Sequence, residues 1–298
     1  MAIRGVFCAA ATPVMADGEP DIARLTAHAK QLIADGCTGI ALLGTTGEAN
    51  SFSVSERQML LEATIEAGIK PSQLVPGTGL CAAPDTIALT RHALSLGVTS
   101  VVMLPPFYYK QPSDEGIFAA YARTIEKIGD SRLKIILYHI PQMSAVPFSL
   151  PLIEKLISAY PNTVVGIKDS AGDFANMQKM VQEFPGFAVL AGADPLMKPL
   201  LEIGGAGCIT ATANLVGPQL ATIFHYFSDP ARKAEVEAAQ DRITKVRGIS
   251  TRFVQIPAIK TMIARRYGDN AWLTVRPPLL ALSPAEVAEI DSMLTELG

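Results

Sequence analysis

A short apolar run followed by an amphipathic stretch of helical period recurs along most of this chain. The runs fall at 6–10, 39–43, 74–77, 100–104, 134–140, 164–168, 187–191 and 207–210. Between them lie amphipathic stretches such as 22–34, 55–67, 85–96, 115–128 and 150–159. Runs this short and this apolar read as strands covered on both faces, the environment of a parallel sheet. Strand and helix alternating at this spacing argue for parallel strands joined by right-handed crossovers. Eight such units fit a closed (β/α)8 barrel, the TIM-barrel architecture. Past Pro230 the alternation stops. The expectation is a barrel over residues 1–230 and a C-terminal helical appendage over 231–298, broken at Pro257 and at Pro277-Pro278.

Helix starts carry matching punctuation. Ser53 and Ser55 precede Glu56 in a capping-box-like arrangement, and Pro84-Asp85 and Ser113-Asp114-Glu115 mark two further starts.

Composition removes several classes of function. Of 298 residues, 49% are hydrophobic and 18% charged, so the chain is no disordered segment. The formal net charge is -3 and no block of like charges occurs, which argues against a nucleic-acid partner. No run of about 18 apolar residues exists, so no membrane partner is expected. The first sixteen residues carry only Arg4 ahead of an apolar stretch that Thr12-Pro13 interrupts. A first strand and a turn explain them better than a secretion signal. Cys8, Cys37, Cys81 and Cys208 are far apart among small or apolar neighbours, as reduced thiols of a cytoplasmic protein would be. No His/Glu cluster has metal-binding spacing, so no metal is expected.

Lys168 is the most unusual residue. It ends the nearly wholly apolar strand Val164-Val165-Gly166-Ile167-Lys168. A lysine in such a place either snorkels to water or sits desolvated with a lowered pKa. The second state leaves a free amine able to attack a ketone and form a Schiff base. In a barrel, groups at the C-terminal ends of strands face the active mouth. Tyr138 stands one βα unit earlier, at the end of the fifth run, so it reaches the same height on the adjacent strand and can relay protons. Alternation turns His139 away from it, toward the helices. Lys134 opens the same strand and belongs to the opposite rim. His28, His92 and His225 fall in helical patterns and read as surface or packing residues.

Other strand ends are also distinctive. The second run leads into Gly44-Thr45-Thr46-Gly47-Glu48, where two glycines flank two hydroxyls. Such a turn can present backbone N–H groups and hydroxyls to a carboxylate. It lacks the lysine of a phosphate-binding loop, and Gly77-Thr78-Gly79 lacks the third glycine of a dinucleotide fingerprint. After the fourth run, Pro105-Pro106-Phe107-Tyr108-Tyr109 forms a rigid aromatic loop of the kind that anchors an interface.

Together these segments resemble the N-acetylneuraminate lyase and dihydrodipicolinate synthase family of pyruvate-dependent class I aldolases. Thr12-Pro13, Gly44-Thr45-Thr46-Gly47-Glu48, Gly77-Thr78-Gly79, Tyr108-Tyr109, Tyr138-His139-Ile140-Pro141, Gly166-Ile167-Lys168-Asp169 and Ile256-Pro257-Ala258-Ile259-Lys260 carry the resemblance. It covers nearly the whole chain. The resemblance implies that Lys168 forms the Schiff base with a 2-keto acid and Tyr138 shuttles protons. It also implies that Thr45, Thr46 and Gly47 hold the keto-acid carboxylate. Tyr109 would join a hydroxyl relay through Thr45 from a neighbouring subunit of a homotetramer. No metal or organic cofactor is required by this chemistry.

Two departures bear on substrate. Where dihydrodipicolinate synthases carry a carboxylate-binding arginine, this chain has Met143, followed by Ser144 as in the sugar-acid lyases. Gly192-Ala193-Asp194 is similar to a lyase segment whose aspartate binds sugar hydroxyls, but Pro195 follows it in place of a glutamate. Thr210 offers one more hydroxyl. The expectation is a lyase that reversibly cleaves a 2-keto-3-deoxy or 4-hydroxy-2-keto acid to pyruvate and an aldehyde. Alternatives are condensation of pyruvate with aspartate semialdehyde, dehydration of a keto-deoxy sugar acid, and a non-catalytic 2-keto acid sensor.

Overall fold

A computed structural model describes residues 3–298. Seven strands form one all-parallel sheet: β1 (Gly5–Ala9), β2 (Gly39–Ala41), β3 (Ser100–Met103), β4 (Lys134–His139), β5 (Val164–Asp169), β6 (Ala188–Ala191) and β7 (Gly207–Thr210). Their spatial order is β2-β1-β7-β6-β5-β4-β3.

The run at 74–77, expected as a strand of its own, does not form a regular ladder. It bridges β2 and β3 through isolated contacts, Ile40 with Leu74 and Gly77 with Val102. Val75 and Gly77 N–H groups donate to Ile40 and Leu42 carbonyls at 2.9 and 2.8 Å, and Thr78 N–H donates to the Val102 carbonyl at 3.0 Å. Pro76 explains the irregularity. It has no N–H to give, so one rung toward β3 is missing, while its carbonyl still accepts from Val102 N–H at 2.9 Å. The segment nonetheless fills the gap between the two edge strands and nearly closes the barrel.

Alternation along each strand separates two cores. Phe7, Ala9, Ala41, Val102, Ile136, Leu190 and Ile209 fill the barrel interior. Val6, Cys8, Ile40, Val101, Ile135, Leu137 and Cys208 face the surrounding helices. Truncating one of the fully buried Ile or Leu side chains to Ala costs about 2–5 kcal/mol. The helices begin where the sequence punctuates them. Ser53 caps Val54–Glu66 in a complete capping box with Glu56, and Ser113 caps Asp114–Ile128, which ends at left-handed Gly129.

The C-terminal helices Lys233–Thr251, Gln255–Tyr267 and Pro284–Leu297 pack on the barrel. Val236, Ile243 and Ile290 join the outer core. Ile259, Ile263 and Trp272 pack on Ala11 and Ala211, which follow β1 and β7 at the C-terminal rim. Among the described residues no helix is long and apolar enough to cross a membrane.

Candidate active site

The C-terminal mouth of the barrel brings the central pair together. Tyr138 on β4 lies in register with Lys168 on β5, and Lys168 in turn with Leu190 on β6. Both side chains point into the barrel. Lys168 is 6% exposed and Tyr138 4%. The Lys168 Nζ lies 4.1 Å from the centre of the Tyr138 ring. The Tyr138 hydroxyl lies 3.2 Å from Thr45 Oγ1, within hydrogen-bond reach. Burial by itself would raise the phenol's pKa. The Lys168 charge, with hydrogen bonds from Thr45, Lys168 and Ser170, outweighs it, and the net displacement is downward. A phenol made more acidic beside an amine is suited to passing a proton in either direction.

Above this pair opens a cleft whose walls include Gly44, Thr45, Asn50, Arg57 and Gly79. Residues 44–48 reach it by an unusual backbone path. Leu43 and Glu48 bracket the turn in left-handed conformations, φ 55° and 54°. Non-glycine residues held so cost about 1–3 kcal/mol each and persist only under outside restraint. Glu48 has that restraint. Its carboxylate takes hydrogen bonds from Lys260 Nζ and, at 2.9 Å, from the backbone N–H of Arg276. Gly47 is fixed by space, since a Cβ there would lie 2.9 Å from the Ala10 carbonyl oxygen and 3.0 Å from Thr12 Oγ1. Thr12 donates instead to the Gly47 carbonyl at 2.9 Å.

The other expected site residues divide. Thr46 is buried in the same turn as Gly47, and neither lines the cleft. Tyr109 is 79% exposed, set edge-to-face on Tyr108 with ring centres 5.5 Å apart, and stays out of its own chain's cleft. Ser144 corrects the expectation of a substrate hydroxyl. Its hydroxyl lies 3.1 Å from the carbonyls of both Ile140 and Val146 and accepts from Val146 N–H, so it is engaged by its own backbone. Asp194 is also placed elsewhere. It is wholly buried, accepts from Thr212 Oγ1 at 2.7 Å and meets Arg247 of the Lys233–Thr251 helix at 3.3 Å. Thr210 shares the outward face of β7 with Cys208, whereas Ile209 faces the cleft. Side chains alternate along a strand, so Thr210 cannot face the mouth that Ile209 faces.

His139 packs outward as its parity requires, with Nδ1 accepting from Phe148 N–H at 3.1 Å. Ser170 and Arg57 belong to the site's surroundings and escaped the sequence reading. Ser170 follows the lysine strand closely enough to have been suspected. Nothing local marks Arg57. Among the described residues no cluster of His, Cys, Asp and Glu has the geometry to hold a metal ion.

Comparison with known proteins finds similarity over nearly the whole chain. The sequence model described as the "Dihydrodipicolinate synthetase family" matches residues 2–297. An uncharacterized DapA-like lyase of Chloroflexus aurantiacus is 35% identical over 96% of this chain and 94% of its own. A 4-hydroxy-tetrahydrodipicolinate synthase of Rhizobium meliloti is 30% identical over 99% of this chain and 98% of its own. The crystal structure of dihydrodipicolinate synthase from Agrobacterium tumefaciens superposes with a TM-score of 0.89 at 32% identity, covering 98% of this chain and 99% of that one. YagE of E. coli, solved in complex with pyruvate, shares the fold with a TM-score of 0.91 at 23% identity, over 100% of this chain and 99% of its own.

Proposed function

The chain belongs to the dihydrodipicolinate synthetase family, and on that premise we propose that it is a Schiff-base-forming lyase cleaving a 2-keto-3-deoxy or 4-hydroxy-2-keto acid reversibly into pyruvate and an aldehyde. It is an enzyme of the pyruvate-dependent class I aldolase type. The observation that carries the reading is the buried Lys168 amine, 4.1 Å from the centre of the Tyr138 ring, with Thr45 on the phenol.

The steps follow from these groups. The Lys168 amine, once it has given up its proton, adds to the keto carbon, and loss of water leaves an iminium. Tyr138 takes the proton of the C4 hydroxyl as the C3–C4 bond breaks, and the bond's electron pair moves into the iminium. The aldehyde departs. The remaining enamine takes a proton back at carbon, and water then releases pyruvate and restores the lysine. Thr45, on the cleft wall, holds the keto-acid carboxylate in this scheme and orients the phenol.

Condensation with aspartate semialdehyde is the second reading, supported by the Rhizobium meliloti relative's name. Against it stands Met143, 63% exposed, where an arginine would clamp the second carboxylate. The proposal extends to a cytoplasmic homotetramer. What supports the assembly is the exposure of Tyr108 and Tyr109, 73% and 79%, on one rigid loop. Borohydride reduction in the presence of pyruvate tests the chemistry. A stable adduct of pyruvate's mass on Lys168 supports a Schiff-base enzyme. Tight pyruvate binding without an adduct would make the chain a sensor.

A further inference from the structure

Arg57 lies on the helix Val54–Glu66. The structure buries it, leaving 2% of the residue exposed. One nitrogen, Nη2, donates to the Gly77 carbonyl at 2.6 Å. The other two, Nε and Nη1, are buried without a hydrogen-bond partner among the described residues. Burial pushes the guanidinium's pKa down to about 10, and no nearby acid offsets it. It still carries its charge at neutral pH. A buried cation with two idle donors is costly, and native proteins rarely keep one without a use.

The same side chain lines the cleft that holds Lys168, Tyr138 and Thr45. We propose that Arg57 is a specificity-determining residue that pairs with a second carboxylate of the substrate, carried on the side of the scissile bond away from the keto group. This inference rests on the Schiff-base reading above. A guanidinium fork matches a carboxylate in shape and charge, and desolvation in the cleft strengthens the pair. The chain lacks a cation at Met143 and supplies one from a different wall. The preferred substrates are then keto acids with two carboxylates over those with one.

The test uses the full-length chain and two keto acids that differ at one end, 2-oxoglutarate and 2-oxopentanoate. Each can form an imine with Lys168, and neither has the 4-hydroxyl needed for cleavage. Borohydride trapping gives the half-saturating concentration of each by intact mass. The wild type should trap 2-oxoglutarate at about tenfold or more lower concentration, the worth of one charge-assisted pair. Arg57→Met should close that gap by weakening 2-oxoglutarate selectively. Arg57→Lys, which keeps the charge without the fork, should narrow it in part and carries the test if the methionine variant fails to fold. A wild type without preference, or variants that shift both compounds equally, would overturn the role. So would succinate altering pyruvate trapping in an Arg57-dependent way without competing with 2-oxoglutarate, since that marks a separate effector site. Failure of pyruvate itself to be trapped by the wild type would instead remove the Schiff-base reading.

Discussion

Lys260 and Glu48 form an ion pair in which neither side chain is exposed, joining the Gln255–Tyr267 helix to the turn that carries Thr45 and Thr46. The contact spans 212 positions of sequence. Removing one member leaves the other charge buried alone. Lys260→Met should therefore cost about 3–5 kcal/mol in urea unfolding and raise the pyruvate concentration needed for trapping. The double variant Lys260→Met/Glu48→Gln should lose less than the two single costs combined. A single-variant cost below about 1 kcal/mol would show that the pair does not restrain the turn.

Lys168→Ala should abolish both pyruvate trapping and turnover, because among the described residues no other amine lines the cleft to form the imine. Activity near the wild-type level, measured as pyruvate release from a panel of 4-hydroxy-2-keto acids, would refute the assignment of Lys168.

Tyr138→Phe keeps the ring beside Lys168 and deletes only the hydroxyl that meets Thr45. Turnover should fall on the order of a hundredfold or more, while trapping of pyruvate persists at slower rate. An unchanged kcat would take Tyr138 out of proton transfer.

His28 links acidity to stability. Its ring is buried between the Tyr267 hydroxyl and Asn214 Oδ1, each at 2.8 Å, and burial lowers its pKa from 6.5 to about 4. Between those values the unfolded chain binds a proton that the folded chain refuses. Stability from this residue is complete above pH 6.5 and drains away as pH falls toward 4. The total is on the order of 3 kcal/mol. Urea midpoints across this range should decline more steeply for the wild type than for His28→Gln. Parallel slopes would sink the assignment.

Met143→Arg restores a cation at the mouth, on the short helix Pro141–Ser144. If the second reading fails in the wild type for want of that charge, condensation of pyruvate with aspartate semialdehyde should rise about tenfold in kcat/KM. A wild type already efficient in this reaction would favour the synthase.

The alternation of apolar runs and helical patterns was enough to announce a barrel, since each run is short, local and covered on both faces. Pro76 defeated the regular ladder at one run for a reason visible in its chemistry, a missing N–H. Strand parity likewise placed Tyr138 and Lys168 together and turned His139 outward, because successive side chains take opposite faces. Ser144 and Asp194 were expected in the site from their resemblance to lyase segments, and Thr210 from its place after a strand, and none of these grounds fixes where a side chain points. Their hydroxyls and carboxylate are engaged by, or turned toward, the backbone and helices behind the strands.

What the sequence determined by itself is the fold class and the amine–phenol pair, which rest on periodicities of two and 3.6 residues within single elements. The tertiary structure alone decided that Arg57 is buried with idle donors, that Asp194 meets Arg247, and that Lys260 holds the turn at Glu48. Those facts depend on which distant element covers a side chain and excludes water from it. Local patterning sets the direction a residue faces along its own strand or helix, and only packing sets what it meets there.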